Sequence, residues 1–133
     1  MAKTALVPIA DGSEEIEAVC IIDTLRRAGV QVTVASVGQL QVTASRGVKL
    51  VADVQIADCV GRTYDAIALP GGMPGAEHLR DSPELIELLR QQREAGRLYA
   101  AICAAPAVVL QHHKLLERTR ATCFPGMRGK LDP

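Results

Sequence analysis

The sequence predicts an α/β fold: a three-layer sandwich with a mostly parallel central sheet, flavodoxin-like or Rossmann-like. Three observations carry this. Aromatic residues make up only 2% of the chain (Tyr64, Tyr99, Phe124), so the core falls to Val, Ile, Leu and Ala, the packing style of a parallel sheet covered on both faces. Strand-length apolar runs alternate with helix-length amphipathic ones. Gly29 and Gly96 each stand where a left-handed residue ends a helix at little steric cost.

In order, Thr4–Ala10 reads as a strand, Glu14–Ala28 as a helix and Val30–Ser36 as a second strand, which makes one βαβ unit. Leu40–Ala44 and Val48–Ala52 read as a hairpin. The alternation resumes with strand Asp65–Leu69, helix Pro83–Ala95, strand Leu98–Ile102 and helix Ala104–Leu116, and Arg118–Cys123 begins a further strand. From Phe124 to Pro133 the chain is loop-like, with no closing helix.

A chain of 133 residues and 14.2 kDa fits one domain. Fifteen Lys and Arg residues cancel fifteen Asp and Glu residues, leaving no basic field for nucleic acid. The longest apolar run, Leu98–Leu110, is interrupted by Pro106 and is shorter than the ~20 residues of a membrane span. The amino-terminal strand lacks the regions of a signal peptide, so a cytoplasmic protein is expected. Cys20, Cys59, Cys103 and Cys123 are widely spaced, with neither CxxC pairs nor adjacent His ligands. That pattern predicts neither a zinc site nor a disulfide framework.

In an open parallel sheet ligands bind beyond the carboxyl ends of the strands. Three loops fall there: Asp11–Glu17, Pro70–Gly75 and Cys103–Pro106. Cys103 follows a strand directly and precedes a helix with Pro106 in its first turn, a position where unpaired amides and the helix dipole favour thiolate. Its small neighbours Ala101, Ala104 and Ala105 admit a substrate, in the manner of a nucleophile elbow. The plainer alternative is a buried cysteine serving as a small hydrophobe.

Glu17 lies on the stripe of Ile21, Leu25 and Ala28, and so points along the buried helix face. A carboxyl there must find a donor or keep its proton, and a protonated one donates to a thiolate. Otherwise it merely complements the helix dipole, as Glu14 and Glu15 are expected to do with Ser13 as N-cap. Gly71 and Gly72 bring unencumbered backbone to a strand end, and the amides of that turn and of Ala104 suit an oxyanion. A tight turn explains the glycines equally well.

No histidine is placed as the base of a Cys–His pair. His112 and His113 lie roughly 13 Å along their helix from Cys103 and read as solvated. His78 follows the glycine-rich loop, either near the pocket or as a local hydrogen-bonding residue. Arg118, Arg120, Arg128 and Lys130 form a basic cluster without interleaved aromatics, which reads as a solvated surface.

Gly12–Glu17, Ser45-Arg46-Gly47, Leu69–Gly72 with Gly75-Ala-Glu77, and Ala101–Pro106 occur in this order and together resemble the DJ-1/PfpI (ThiJ) superfamily, most nearly its bacterial YajL-like branch. The resemblance covers nearly the whole chain. It implies that Cys103 is the reactive, oxidation-prone cysteine, that Glu17 is a protonated carboxyl hydrogen-bonded to it, and that Gly72 and Ala104 supply backbone amides. It further implies a homodimer in which Arg46 approaches the partner's site. Phe124, followed by Pro125, stands where many relatives carry histidine, and the YajL-like branch likewise shows Phe-Pro there. Relatives continue through further strands and a carboxyl-terminal helix, so the domain is expected to be incomplete at that end.

Two functions are expected on these grounds. One is a cofactor-independent, metal-independent deglycase or glyoxalase, in which Cys103 attacks a small aldehyde or a glycated-protein adduct and Glu17 shuttles a proton. The other is an oxidative-stress sensor or redox-regulated chaperone, in which Cys103 is oxidised without turnover. A glutamine-amidotransferase-like hydrolase shares the elbow but needs the histidine this chain lacks.

Overall fold

A computed structural model describes residues 1–131. Its centre is a five-stranded sheet in the order β5-β2-β1-β6-β7, with every neighbouring pair parallel. The strands are β1 (Thr4–Ile9), β2 (Gln31–Ser36), β5 (Val54–Gln55), β6 (Ala66–Leu69) and β7 (Leu98–Ala101). Strands β3 (Gln41–Thr43) and β4 (Lys49–Val51) form the expected separate antiparallel hairpin. Helices α1 (Glu15–Arg27), α2 (Gly75–Arg80) and α3 (Pro83–Glu94) complete the regular elements, with a 3₁₀ turn at Ile56–Cys59. The short β5, that turn and α2 are too brief to show a period in the sequence.

Alternation along β1 divides the core. Leu6 and Ala10 face a large cluster with Ile67, Leu69, Leu79, Leu85, Leu89 and Val109, on the side of α2 and α3. Ile9 faces a smaller cluster with Ala18, Val34, Val42 and Ala52, between α1 and the hairpin. Apolar groups on both faces are what a strand buried on both sides requires. Gln92, 1% exposed, donates to the carbonyls of Tyr64 and Leu98, both at 2.9 Å, and so ties α3 to the loop before β6 and to the start of β7.

Expectations are corrected near the carboxyl end and at the start of α1. In place of a helix over 104–116 there is a π-helical segment, Pro106–Gln111, followed by turns. Proline removes a donor from its first turn, Leu115 N–H reaches back five residues to Leu110 at 2.9 Å, and Lys114 adopts φ 59. Arg93 gathers the carbonyls this leaves, donating to Leu115 and Glu117, both at 2.7 Å. Arg118–Cys123 forms no strand, and Pro125–Lys130 is a 3₁₀ segment instead. His113 is not solvated, because its Nε2 lies 2.8 Å from the Arg80 carbonyl oxygen. At α1 the N-cap is Glu14, which accepts from Ile16 N–H at 3.5 Å. Ser13 is fully buried and turns back to accept from Ala10 N–H at 3.0 Å.

Glu15 is not a solvated dipole acid either. It is 7% exposed and accepts from Ser45 Oγ at 3.0 Å, Arg46 N–H at 3.0 Å and Val48 N–H at 3.2 Å, clamping the hairpin turn to α1. Burial opposes its charge, but the hydrogen bonds of its own backbone and of Ser45, Val48 and Arg46 prevail and hold the carboxyl below its usual range. A carboxyl depressed in the folded state stabilises above its unfolded pKa of about 4.3, and that contribution is lost as pH falls through the folded value. Glu15→Ala should therefore lower the thermal midpoint by several degrees at pH 7, and the gap to the parent should close below about pH 4 in scans across pH.

Candidate functional site

The site is assembled from glycine backbone. Gly12, in the loop after β1, has φ 83, and a Cβ there would lie 2.5 Å from Pro74 Cδ and 2.9 Å from Gly75 N. Gly72, in the loop after β6, has φ 90, and its Cβ would strike Glu14 N and lie 2.6 Å from Gly12 O. Only residues without side chains let these two loops interlock, and the left-handed φ excludes most others in any case. Glu14 N–H then donates to the Gly71 carbonyl at 3.0 Å, which joins the loop to the first residue before α1.

The interlock delivers Glu17 to the end of β6. Its Oε1 accepts from Gly71 N–H at 2.9 Å. A Cβ on Gly71 would lie 2.8 Å from that oxygen and 2.7 Å from Cys103 Cβ, so the carboxyl and the cysteine converge on one bare peptide. Glu17 is half-buried, and it comes to the cysteine from α1, whose buried residues are Glu15 and Ala18. The expected stripe is weak: Ile21 and Leu25 are half-buried and Ala28 is exposed.

Cys103 lies just past β7, after Ile102 N–H has donated to Leu69 O at 3.2 Å. Its φ of 62 is left-handed for a residue with a side chain, a conformation costing about 1–3 kcal/mol and common at functional sites. The half-buried sulfur lies where the Glu17 carboxyl and the backbone amides of Gly72 and Ala104 all act on its charge. From the other side, Phe124 N–H donates to the Cys103 carbonyl at 2.6 Å.

The electrostatics depart from the expectation of a sulfur ionised by its helix. Burial first, and then the charge and hydrogen bond of Glu17, push the Cys103 thiol above its ordinary value, and the amides of Ala104 and Gly72 offset this only in part. The segment after the cysteine is a short π-helical turn rather than a long α-helix, so it offers little dipole to oppose them.

Of the residues singled out in the sequence, Cys103, Glu17, Gly72 and Ala104 are brought together. Arg46 is exposed at the hairpin turn, and among the described residues it makes no hydrogen bond or ion pair with the cysteine or Glu17. His78 is exposed on α2, and Phe124 is 49% exposed. Sequence reasoning missed the Glu15 clamp, since adjacent acids at a helix start look alike until one meets a partner. It also missed the Phe124 amide, because a backbone donor leaves no residue-type signature. Among the described residues no three His, Cys, Asp or Glu side chains are grouped to hold a metal ion, and no helix is long and apolar enough to cross a membrane.

The family model described as DJ-1/PfpI matches residues 3–133. Protein DJ-1 homolog B of Arabidopsis thaliana is 54% identical over 95% of the chain, which spans 29% of that relative's length. A Caenorhabditis elegans relative, called glutathione-independent glyoxalase DJR-1.2, is 38% identical over 97% of the chain and 68% of its own length. Among solved structures, oxidized DJ-1 of Toxoplasma gondii superposes with a TM-score of 0.97 at 53% identity, covering 98% of this chain and 72% of that one.

If the bare peptide at Gly71 sets the approach of acid to sulfur, one methyl group should part them. Because the Glu17 carboxylate is one of the groups that hold the thiol up, Gly71→Ala is expected to shift the pH profile of Cys103 alkylation to lower pH and to speed the reaction at neutral pH, while circular dichroism shows the fold retained; an unchanged profile would show that Gly71 does not set this approach.

Proposed function

The chain belongs to the DJ-1/PfpI family, and on that premise we propose that it is a cysteine-dependent enzyme of the deglycase or glyoxalase type. It acts on small reactive aldehydes or on the early adducts they form with proteins, in a cytoplasmic setting and without a cofactor. The observation that carries this reading is the contact of Cys103 with Glu17, flanked by the Gly72 and Ala104 amides. The name of the C. elegans relative, a glutathione-independent glyoxalase, supports it.

The raised thiol dictates the order of events. Sulfur gives up its proton to the Glu17 carboxylate that converges with it on Gly71, so thiolate and carboxylic acid arise together with no change in net charge. The thiolate adds to the carbonyl carbon and a C–S bond forms. As the C=O π pair moves to oxygen, a backbone amide freed by the sulfur's loss of charge stabilises the oxyanion. Glu17 then returns the proton to that oxygen, leaving a hemithioacetal and the original carboxylate.

A second reading is a redox sensor or redox-regulated chaperone, in which the half-exposed sulfur is oxidised without turnover. The oxidized state of the T. gondii relative favours it. Methylglyoxal consumption separates the two: Cys103→Ala should fall to the uncatalysed rate, and Glu17→Gln should fall about 10²–10⁴-fold. Full turnover by Cys103→Ala would exclude the enzyme reading as stated.

The homodimer is part of the same proposal, with Arg46 of each copy directed toward the partner's site. Its support is the outward face of α1, where Ile16 is 70% and Val19 is 44% exposed, apolar area that a monomer leaves wet. Sedimentation should show a dimer that Val19→Glu converts to monomer, and a monomeric parent at micromolar concentration would refute this part.

A further inference from the structure

We propose that Cys123 is the resolving thiol for an oxidised Cys103, so that the two close a disulfide within one chain. The inference rests on the reading of Cys103 as the reactive thiol. Cys59 is 1% exposed and buried against Tyr64, and Cys20 is exposed on α1, whereas Cys103 and Cys123 are both half-buried. Phe124 N–H donates to the Cys103 carbonyl at 2.6 Å, which lays the peptide between Cys123 and Phe124 directly against Cys103. Standard peptide dimensions then keep the Cα atoms of Cys103 and Cys123 within roughly 7.5 Å at most. Disulfides span Cα separations of about 4.4–6.8 Å.

The Cys123 side stays close to this junction: its Sγ lies 3.3 Å from Phe124 O, within the dipeptide that meets Cys103. The chain leading into it can adjust. Residues 117–122 are exposed and 119–124 lie in no helix or strand, so the segment bearing Cys123 is free of the regular structure that would resist its moving toward Cys103.

The chemistry balances with hydrogen peroxide as the oxidant. The Cys103 thiolate attacks one peroxide oxygen, the O–O bond breaks, and the departing hydroxide takes the proton held by Glu17 to leave as water, giving a sulfenic acid. The Cys123 thiolate then attacks the sulfenic sulfur. The S–S bond forms, the S–O bond breaks, and hydroxide departs with the Cys123 proton as a second water. Two thiols are oxidised to one disulfide and one peroxide is reduced to two waters. A thiol reductant reverses this product, whereas it does not reverse further oxidation to sulfinic acid.

The test is intact-mass analysis and non-reducing peptide mapping of the full chain after a few equivalents of hydrogen peroxide, comparing the parent with Cys123→Ser and Cys123→Ala. The parent should lose the mass of two hydrogens, yield a linked Cys103–Cys123 peptide and return to its starting mass with dithiothreitol. Both variants should instead gain one and then two oxygens at Cys103. A parent that accumulates oxygens at Cys103 as fast as the variants, with Cys123 still open to alkylation, would overturn the inference and leave the reactive-thiol reading intact. Linkage of Cys103 to Cys20, Cys59 or another chain would also overturn it. An unmodified Cys103 would remove both the inference and the reading beneath it.

Discussion

The loops after β1 and β6 can interlock only because their contacting positions carry no side chains. Gly12 seats against Pro74 and Gly75, and Gly72 seats against Gly12 and Glu14. The backbone of one loop thus becomes the wall of the other, and both the acid and the amides at the sulfur take their positions from it. Gly71 closes the arrangement by accepting Glu14 N–H on its carbonyl while its own N–H holds Glu17. The glycines serve close approach here more than chain flexibility, and their φ values of 83 and 90 at Gly12 and Gly72 explain why no other residue substitutes cheaply.

A thiol raised by burial and by a neighbouring carboxylate is a poor nucleophile at rest, but the group that suppresses it is also the group able to accept its proton. A site of this kind keeps its thiol protonated until an electrophile draws electron density from it. In the proposed reaction Glu17 therefore both guards the cysteine and activates it.

Much of the architecture was legible in the residues. The apolar runs at 4–9, 31–36, 66–69 and 98–101 are strands, the glycines at 29 and 96 sit at left-handed φ past helix ends, and Cys103 lies just past a strand as read, although the α-helix read after it is absent. These features depend on local period and on glycine, which a sequence displays directly. What failed depended on partners. Nothing local distinguishes Glu15, buried against Ser45 and the hairpin amides, from Glu14, its neighbour at the helix cap. The periodicity of 104–116 could not reveal that the hydrogen bonds would shift by one residue after Pro106. Likewise the direction of the Cys103 shift was set by burial and by Glu17, both products of tertiary approach, while the helix dipole invoked from local sequence was weak.

The pairing of β7 with β6 has a consequence for how such a site can change over time. Ala66 faces Leu98 and Leu69 faces Ala101, so the ladder ends two residues before the thiol. Strand register moves only in whole residues, each reversing every side chain. A single inserted or deleted residue in β7 would thus swing Cys103 to the opposite side of the layer, well clear of its acid. Exchanges of side chains along the strand leave that register in place, whereas a change in its length does not.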